Sequence, residues 1–199
     1  MPSPLLYYIR HGETDWNVEG RLQGHHDVAL NATGRKQAIA CGAILGALVA
    51  RDGRTLDALD YVSSPLGRAR ETMEIARRRL DLEPAAYRVD ARLAELSFGE
   101  WEGRTLAELR ALNPPLLAER ERNKWRFVPP GGESYQQLAA RMRAWYDDLA
   151  GDAVVVVAHG GTARALMVVL GIATERAAPN TPIDQGVVYR ITEGSMARF

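Results

Sequence analysis

The chain has 199 residues, room for one large domain or at most two small ones. Its composition, 46% hydrophobic and 25% charged, is that of an ordinary globular protein. Lys+Arg and Asp+Glu number 25 each, so net charge supplies no general attraction to nucleic acid or to an anionic membrane. All the basic residues except Lys36 and Lys124 are arginines, whose planar fork of donors suits phosphate and carboxylate. Codon bias is the plainer reading for most of them. The lone cysteine, Cys41, excludes an internal disulfide and fits a reducing compartment. It lies in a helical stretch that wants a small apolar side chain, so it reads as buried filler and not as a nucleophile. The start of the chain lacks the features of a signal peptide, and the longest apolar stretches, 153–158 and 165–173, are too short to span a bilayer. The expected location is the cytoplasm.

Residues 5–9 (LLYYI) read as a strand buried on both faces. It runs into Arg10, His11 and Gly12, where a turn needs the glycine but not the other two. A turn at Asn31-Ala32-Thr33-Gly34 precedes a helix that begins near Thr33 and carries Ala38, Cys41, Leu45 and Leu48 at helical spacing. Residues 58–63 (ALDYVS) form a short strand, closed by Ser64-Pro65. The helix predicted over 66–80 buries Ala69, Met73 and Ala76, and its basic end, Arg77-Arg78-Arg79, complements the negative pole of the helix.

Residues 87–89 read as an edge strand. The segment 93–103 (LAELSFGEWEG) has no clean period and reads as loop. Residues 105–112 make a helical turn or two, stopped before Pro114-Pro115, and 116–130 is the least readable part of the chain. Ser134 with Gln137 is a capping-box signature, and the helix it opens carries Leu138, Met142, Tyr146 and Leu149. The stretch 153–158 (AVVVVA) has the strongest buried-strand pattern. His159-Gly160-Gly161-Thr162 links it to a helix over 163–170, and 187–191 is the last strand expected.

Strands alternating with helices predict an α/β fold, a three-layer α/β/α sandwich around a mostly parallel sheet. Ligands of such sheets sit outside the carboxyl ends of the strands. Arg10-His11-Gly12, Ser63 to Arg68, and His159-Gly160-Gly161 all occupy such positions, so parallel strands bring two histidines and two arginines to one edge. A neutral imidazole nitrogen is a competent nucleophile toward phosphorus, and phosphoryl transfer needs positive charge around the non-bridging oxygens. Arg10 and Arg68 supply that charge and also disfavour protonation of His11 and His159. The helix start after Gly161 adds backbone amides.

Taken singly, each residue has a plainer reading. His11 or His159 alone is more often a surface loop histidine, and their joint placement after separate buried strands reverses that preference. Adjacent side chains diverge, so His25-His26 is no metal pair, and no Cys/His/Asp cluster at ligand spacing accompanies it. It reads as solvent-facing loop, with His26 able to border a substrate pocket. Trp101, Trp125 and Trp145 read as packing residues, and Glu95, Glu100 and Glu102 as loop carboxylates.

Arg10-His11-Gly12-Glu13-Thr14 after a buried strand resembles the R-H-G-E-[ST] signature of the histidine phosphatase superfamily, the phosphoglycerate-mutase-like group. Asn17 and Arg21-Leu22-Gln23-Gly24 resemble its substrate loop, and Ser63-Ser64-Pro65-Leu66-Gly67-Arg68-Ala69 its second arginine segment. The segment 93–103 resembles the one carrying its acid, and Ala158-His159-Gly160-Gly161 its second histidine. The order is kept along nearly the whole chain. The resemblance implies a single domain over 1–199 with a lid-like insertion around 92–133. It makes His11 the phosphorylated nucleophile, and Arg10, Arg68 and His159 the phosphate-holding residues. Glu95 becomes the proton donor to the leaving oxygen and later the base for water. Asn17, Gln23, Gly24 and Gly160 become substrate contacts. No metal and no cofactor is expected.

The superfamily includes phosphatases and cofactor-dependent mutases, which the fold does not separate. The interval between Glu95 and His159 is compact, and Pro129-Pro130-Gly131-Gly132-Glu133-Ser134 resembles the phosphatase branch. The reading is therefore a phosphomonoesterase acting on a small-molecule phosphate ester, with neither nucleic acid nor membrane as partner. Arg120, Arg122, Lys124 and Arg126 keep a phosphoglycerate mutase open as the alternative, since they can hold a carboxylate or second phosphate; a solvated charged helix explains them equally well. A non-catalytic phosphate-ligand or protein-binding relative needs neither nucleophile nor acid. The natural substrate is open, as is oligomeric state, for which a homodimer is compatible. Nearby arginines favour the Glu95 carboxylate whereas acid catalysis needs its protonated form, and a bound phosphate dianion offsets those charges. A neutral to acidic optimum of kcat is expected, and an optimum well into the alkaline range counts against Glu95 as the acid.

Overall fold

The computed structural model describes residues 4–199. Six strands form one sheet in the order β3-β2-β4-β1-β5-β6. β1 (Leu5–Arg10), β4 (Ala153–Ala158), β2 (Asp60–Ser63) and β3 (Arg88–Val89) run parallel, while β5 (Tyr189–Thr192) and β6 (Ser195–Arg198) pair antiparallel at one edge. The all-apolar β4 lies between β1 and β2, which explains why it lacks alternation: both of its faces are covered.

Odd and even residues of β1 and β4 feed different cores. Tyr7, Ile9, Val155 and Val157 pack with Cys41 and Leu45 of α2 (Ala32–Arg51) and Met73 of α3 (Gly67–Arg79). Leu6, Tyr8, Val154 and Val156 pack with Leu138, Met142 and Trp145 of α6 (Tyr135–Asp147) and Leu166 of α7 (Gly160–Val169). The result is the expected α/β/α sandwich. Burial pushes the Cys41 thiol up to about 12, so it is inert filler.

Several local features departed from expectation for identifiable reasons. The segment 116–130 yields to α5 (Pro114–Arg122), which begins on the proline pair at its first turn after Asn113 caps it. It follows α4 (Leu106–Leu112), opened by a capping box between Thr105 and Glu108. Trp101, Leu109, Leu117 and Phe127 close a small separate apolar cluster, which is what gives this charged stretch a fixed shape. A one-turn helix, α1 (Asp15–Val18), is capped by Thr14. The expected last strand begins later, at Tyr189, and a further strand follows. β6 was not anticipated because it is an exposed edge with little apolar pattern.

Gly12 is not needed for an unusual backbone angle; it is needed for contact. A Cβ on Gly12 would lie 2.3 Å from the Gly34 carbonyl oxygen, and one on Gly34 would lie 2.2 Å from the Glu13 carbonyl oxygen. The first turn of α2 thus presses backbone to backbone on the loop after β1. Gly34→Ala is expected to destabilise the fold by about 1–3 kcal/mol in urea unfolding, as overpacked sites do.

Candidate active site

Parallel register sets the site. Arg10 pairs with Ala158 and Ser63 with Val157, so the residues after β1, β4 and β2 leave the sheet at one level. The His11 N–H continues the ladder to the Ala158 carbonyl (2.9 Å), and the Ser64 N–H to the Val157 carbonyl (2.9 Å). His11, His159 and Ser64 therefore stand side by side. The two imidazole centroids are 5.1 Å apart, and His159 Nε2 lies 2.6 Å from Ser64 Oγ. The His159 backbone is clamped by Tyr8 and Thr162: its N–H donates to both hydroxyl oxygens, at 3.1 and 3.0 Å.

The neighbours of His11 decide its tautomer. Nδ1 lies 2.7 Å from the Gly12 carbonyl oxygen, which can only accept, so Nδ1 carries the proton. Nε2 then keeps a lone pair, toward which Arg68 Nε–H points at 3.3 Å. Arg68 is buried, and its other two nitrogens donate to the carbonyls of His26 (2.6 Å) and Gly24 (2.8 Å). Arg10 donates through Nη1 to the Ile183 carbonyl (2.7 Å). Burial and then the charges of Arg68 and Arg10 hold His11 well below the ordinary 6.5, and burial and Arg68 do the same to His159. Both rings are neutral at pH 7.

A cavity of about 120 Å³ opens at His11, lined also by Arg10, Asn17, Gln23, Arg68 and Glu95. The Glu95 carboxylate accepts from the backbone N–H of Leu96 (2.8 Å) and of Gly161 (3.1 Å). Asn17 Oδ1 is engaged by Thr14, leaving the amide nitrogen for a ligand. Gln23 is buried with Oε1 unpartnered, as are Arg10 Nε and His159 Nδ1. Buried polar atoms are rarely left so; Gln23 and Arg10 both line the cavity, whereas Arg77 Nη1 and Trp145 Nε1 are left so away from it. Gly24, in the left-handed region at φ 51°, also lines the cavity.

Neither Gly160 nor His159 is among the residues lining the cavity, and the His159 ring lies 5.1 Å from that of His11. Gly161 is the closer glycine, since a Cβ there would fall 2.2 Å from Glu95 Oε1. Glu102 instead ties loops together, accepting from the N–H of His25 (3.2 Å) and Phe98 (3.0 Å). The His26 ring is exposed against Trp16 and touches the site only through its carbonyl. Sequence reasoning missed Gln185, whose Nε2 donates to the His11 carbonyl and to Asn17 Oδ1, both at 3.0 Å. Only its polarity just before the last strands could have flagged it. Among the described residues no group of three or more His, Cys, Asp or Glu could hold a metal. No helix among them is long and apolar enough to cross a membrane.

The pattern of the histidine phosphatase superfamily (branch 1) matches residues 6–195. The chain belongs to this superfamily. It is 38% identical to glucosyl-3-phosphoglycerate phosphatase of Mycobacterium tuberculosis over 183 residues, covering 85% of this chain and 76% of that one. It is 33% identical to a 2,3-bisphosphoglycerate-dependent phosphoglycerate mutase of Methylobacterium radiotolerans, covering 94% and 89%. Among solved structures, that of a mycobacterial glucosyl-3-phosphoglycerate phosphatase superposes with a TM-score of 0.78 at 33% identity, covering 94% of this chain and 89% of that one.

The neutral histidines make this histidine phosphatase site acid-sensitive. The unfolded chain takes up protons on them near 6.5 and the folded chain does not, so their contribution is complete above that value and is lost as pH falls below it. Denaturant unfolding at about pH 7.5 and about pH 5.5 is expected to show lower stability at the acidic value. His11→Asn with His159→Asn is expected to flatten that difference.

Proposed function

We propose that the chain is a metal-independent phosphomonoesterase that acts on a small phosphorylated metabolite through a phosphohistidine at His11. The observation that carries this reading is the neutral His11 with its Nδ1 proton held by the Gly12 carbonyl, its Nε2 lone pair facing Arg68 Nε–H at a cavity bounded by two arginines. We read 1–199 as a single domain, with 92–133 covering the site. Its partner is the phosphate ester, with no role for nucleic acid. The cytoplasm is its working compartment, and a homodimer fits the reading.

In the proposed reaction the ester phosphate enters the cavity, with Arg10, Arg68, the Asn17 amide and His159 around its non-bridging oxygens. Nε2 of His11 attacks phosphorus while the bond to the alcohol oxygen breaks. Glu95, protonated on one oxygen, gives its proton to that leaving oxygen. A water then attacks the phosphohistidine, Glu95 takes its proton, the P–N bond breaks, and inorganic phosphate leaves a neutral His11 behind. The Gly161 and Leu96 amides hold the Glu95 carboxylate in place through both half-reactions. Branch 1 membership and the phosphatase among the relatives support hydrolysis. The mutase among them makes phosphate return to substrate the competing outcome.

Phosphate release from a metabolite panel containing EDTA, beside an assay for conversion of 3- to 2-phosphoglycerate, tests the reading. Release unaffected by EDTA is expected; mutase activity with negligible release, or metal dependence, overturns it. His11→Ala is expected to abolish turnover while retaining ester binding, and Glu95→Gln to lower kcat by roughly 10²–10⁴-fold. Loss of binding without loss of turnover in His11→Ala contradicts the assignment.

A further inference from the structure

Glu95 stands where regular structure supplies no hydrogen bonds, since residues 94–98 belong to neither helix nor strand. The carbonyls of this stretch must find their donors elsewhere. One side chain supplies most of them. Arg141, half-buried on α6, donates through Nη1 to the carbonyls of Arg92 and Ala94 (2.8 Å to the latter) and through Nη2 to that of Glu95 (3.1 Å). Its Nε–H and the other Nη2 hydrogen go to the two carboxylate oxygens of Glu133, at 2.9 and 2.8 Å. A guanidinium has five N–H donors, and here each one has a partner. His25 Nε2 lies 2.9 Å from the same Glu95 carbonyl oxygen, so both lone pairs of that oxygen are engaged.

Neither Arg141 nor Glu133 lines the cavity at His11, so their only reach to it is through the loop. Glu133 is itself fastened to that loop. Its N–H donates to the Ser97 carbonyl and the Glu100 N–H to the Pro130 carbonyl, both at 2.9 Å, so 129–133 lies along 97–100 as a splint. Two glycines allow the approach: a Cβ on Gly99 would lie 2.2 Å from the Pro130 carbonyl oxygen, and one on Gly132 2.7 Å from that of Ser97. Glu95 is strung between two helices that share one core. Its main chain is held from α6 by Arg141, and its carboxylate from α7 by the Gly161 N–H at 3.1 Å.

We propose that Arg141, locked by Glu133, is the positioning residue for the catalytic acid: it fixes the main chain of Glu95 so that the carboxyl meets the leaving oxygen of the ester. The role rests on the phosphomonoesterase reading, in which Glu95 gives that oxygen its proton. Three carbonyls and a bidentate carboxylate suit a planar fork of donors, and an ammonium with its three donors on one atom cannot span them. Proton delivery requires hydrogen-bond distance, and a displacement of about 1 Å costs about 10²-fold in rate.

Leaving groups of different basicity test it, because p-nitrophenolate departs without a proton and an alkoxide does not. The measurement is kcat/KM, which reports transfer to His11, for p-nitrophenyl phosphate and for the alkyl phosphate that the wild type hydrolyses fastest. Arg141→Lys is expected to lower it about 10²-fold for the alkyl ester and less than about threefold for the aryl one, the selectivity that Glu95→Gln also shows. Glu133→Gln is expected to fall between Arg141→Lys and the wild type. An equal fall for both esters, or wild-type values in Arg141→Lys, overturns the proposal. If Arg141→Lys does not fold, the alkyl-to-aryl ratio of Glu133→Gln, which keeps the three carbonyl contacts, decides by the same criterion. A wild type that hydrolyses no ester fails the phosphomonoesterase reading by itself. In that case, or if only one ester class is hydrolysed, hydrogen exchange in whichever variant folds decides the positioning role. The Leu96 and Gly161 amides, which donate to the Glu95 carboxylate, are expected to exchange about tenfold faster relative to Val155 of β4, and unchanged relative rates overturn it.

Discussion

A guanidinium taken out of water with no carboxylate to receive it is the constraint around which this site is built. Arg68 is buried, and its charge is met only by two backbone carbonyls and one imidazole nitrogen. Burial works against its charge, and more distant carboxylates, Glu95 first, help retain it. A cation in this state needs an anion more than a solvated one does. After burial, which is the larger cause, it also disfavours a proton on the histidine it faces. In the proposed reaction the electrostatic demand for phosphate and the availability of a nucleophilic lone pair therefore share this buried cation.

The framework that holds this arrangement is largely backbone. Arg68 sits on the first turn of α3, directly after β2, while His11 and His159 follow β1 and β4, and all three strands end at one level. The carbonyls of Gly24 and His26 that bind Arg68 come from a loop whose position depends on Glu102, which accepts from the His25 and Phe98 amides. Glu95 is oriented by the amide of Gly161, so the acid and the helix carrying the second histidine are joined in one hydrogen bond. Gln185 ties the His11 carbonyl to Asn17 from the antiparallel side of the sheet. Each chemical group is thus placed by an element other than its own, which limits the freedom of side chains that must be ready before substrate arrives.

Apart from Glu95 and Phe98, which line the cavity at His11, the region 92–133 has a different character. Its small apolar cluster around Trp101, Leu117 and Phe127 fixes α4 and α5, and Phe98 packs against both this cluster and the core under α6 and α7. Such a unit can vary in shape and charge while the sheet beneath it stays constant. That separation is consistent with a superfamily in which relatives named phosphatase and mutase both match this chain.

Much of the core and of the site was legible in the amino-acid sequence because short-range patterns dictated it. The apolar runs of β1 and β4 require burial on both faces, the Ser134 capping box starts α6, and Arg10-His11-Gly12 and His159-Gly160-Gly161 necessarily follow their strands. β6 was not legible, because an exposed edge strand has little apolar pattern, nor was α5, whose charged helix packs on Trp101 and Phe127 outside its own segment. What the sequence by itself determined is which chemical groups exist and which strand end each one leaves. Only the tertiary structure decided that Arg68 aims at Nε2 of His11, that Gly161 and not Gly160 makes room for Glu95, and that Gln185 ties the His11 carbonyl to Asn17. Those facts depend on packing between segments distant along the chain, and periodicity records only what a residue must bury, not what it will meet.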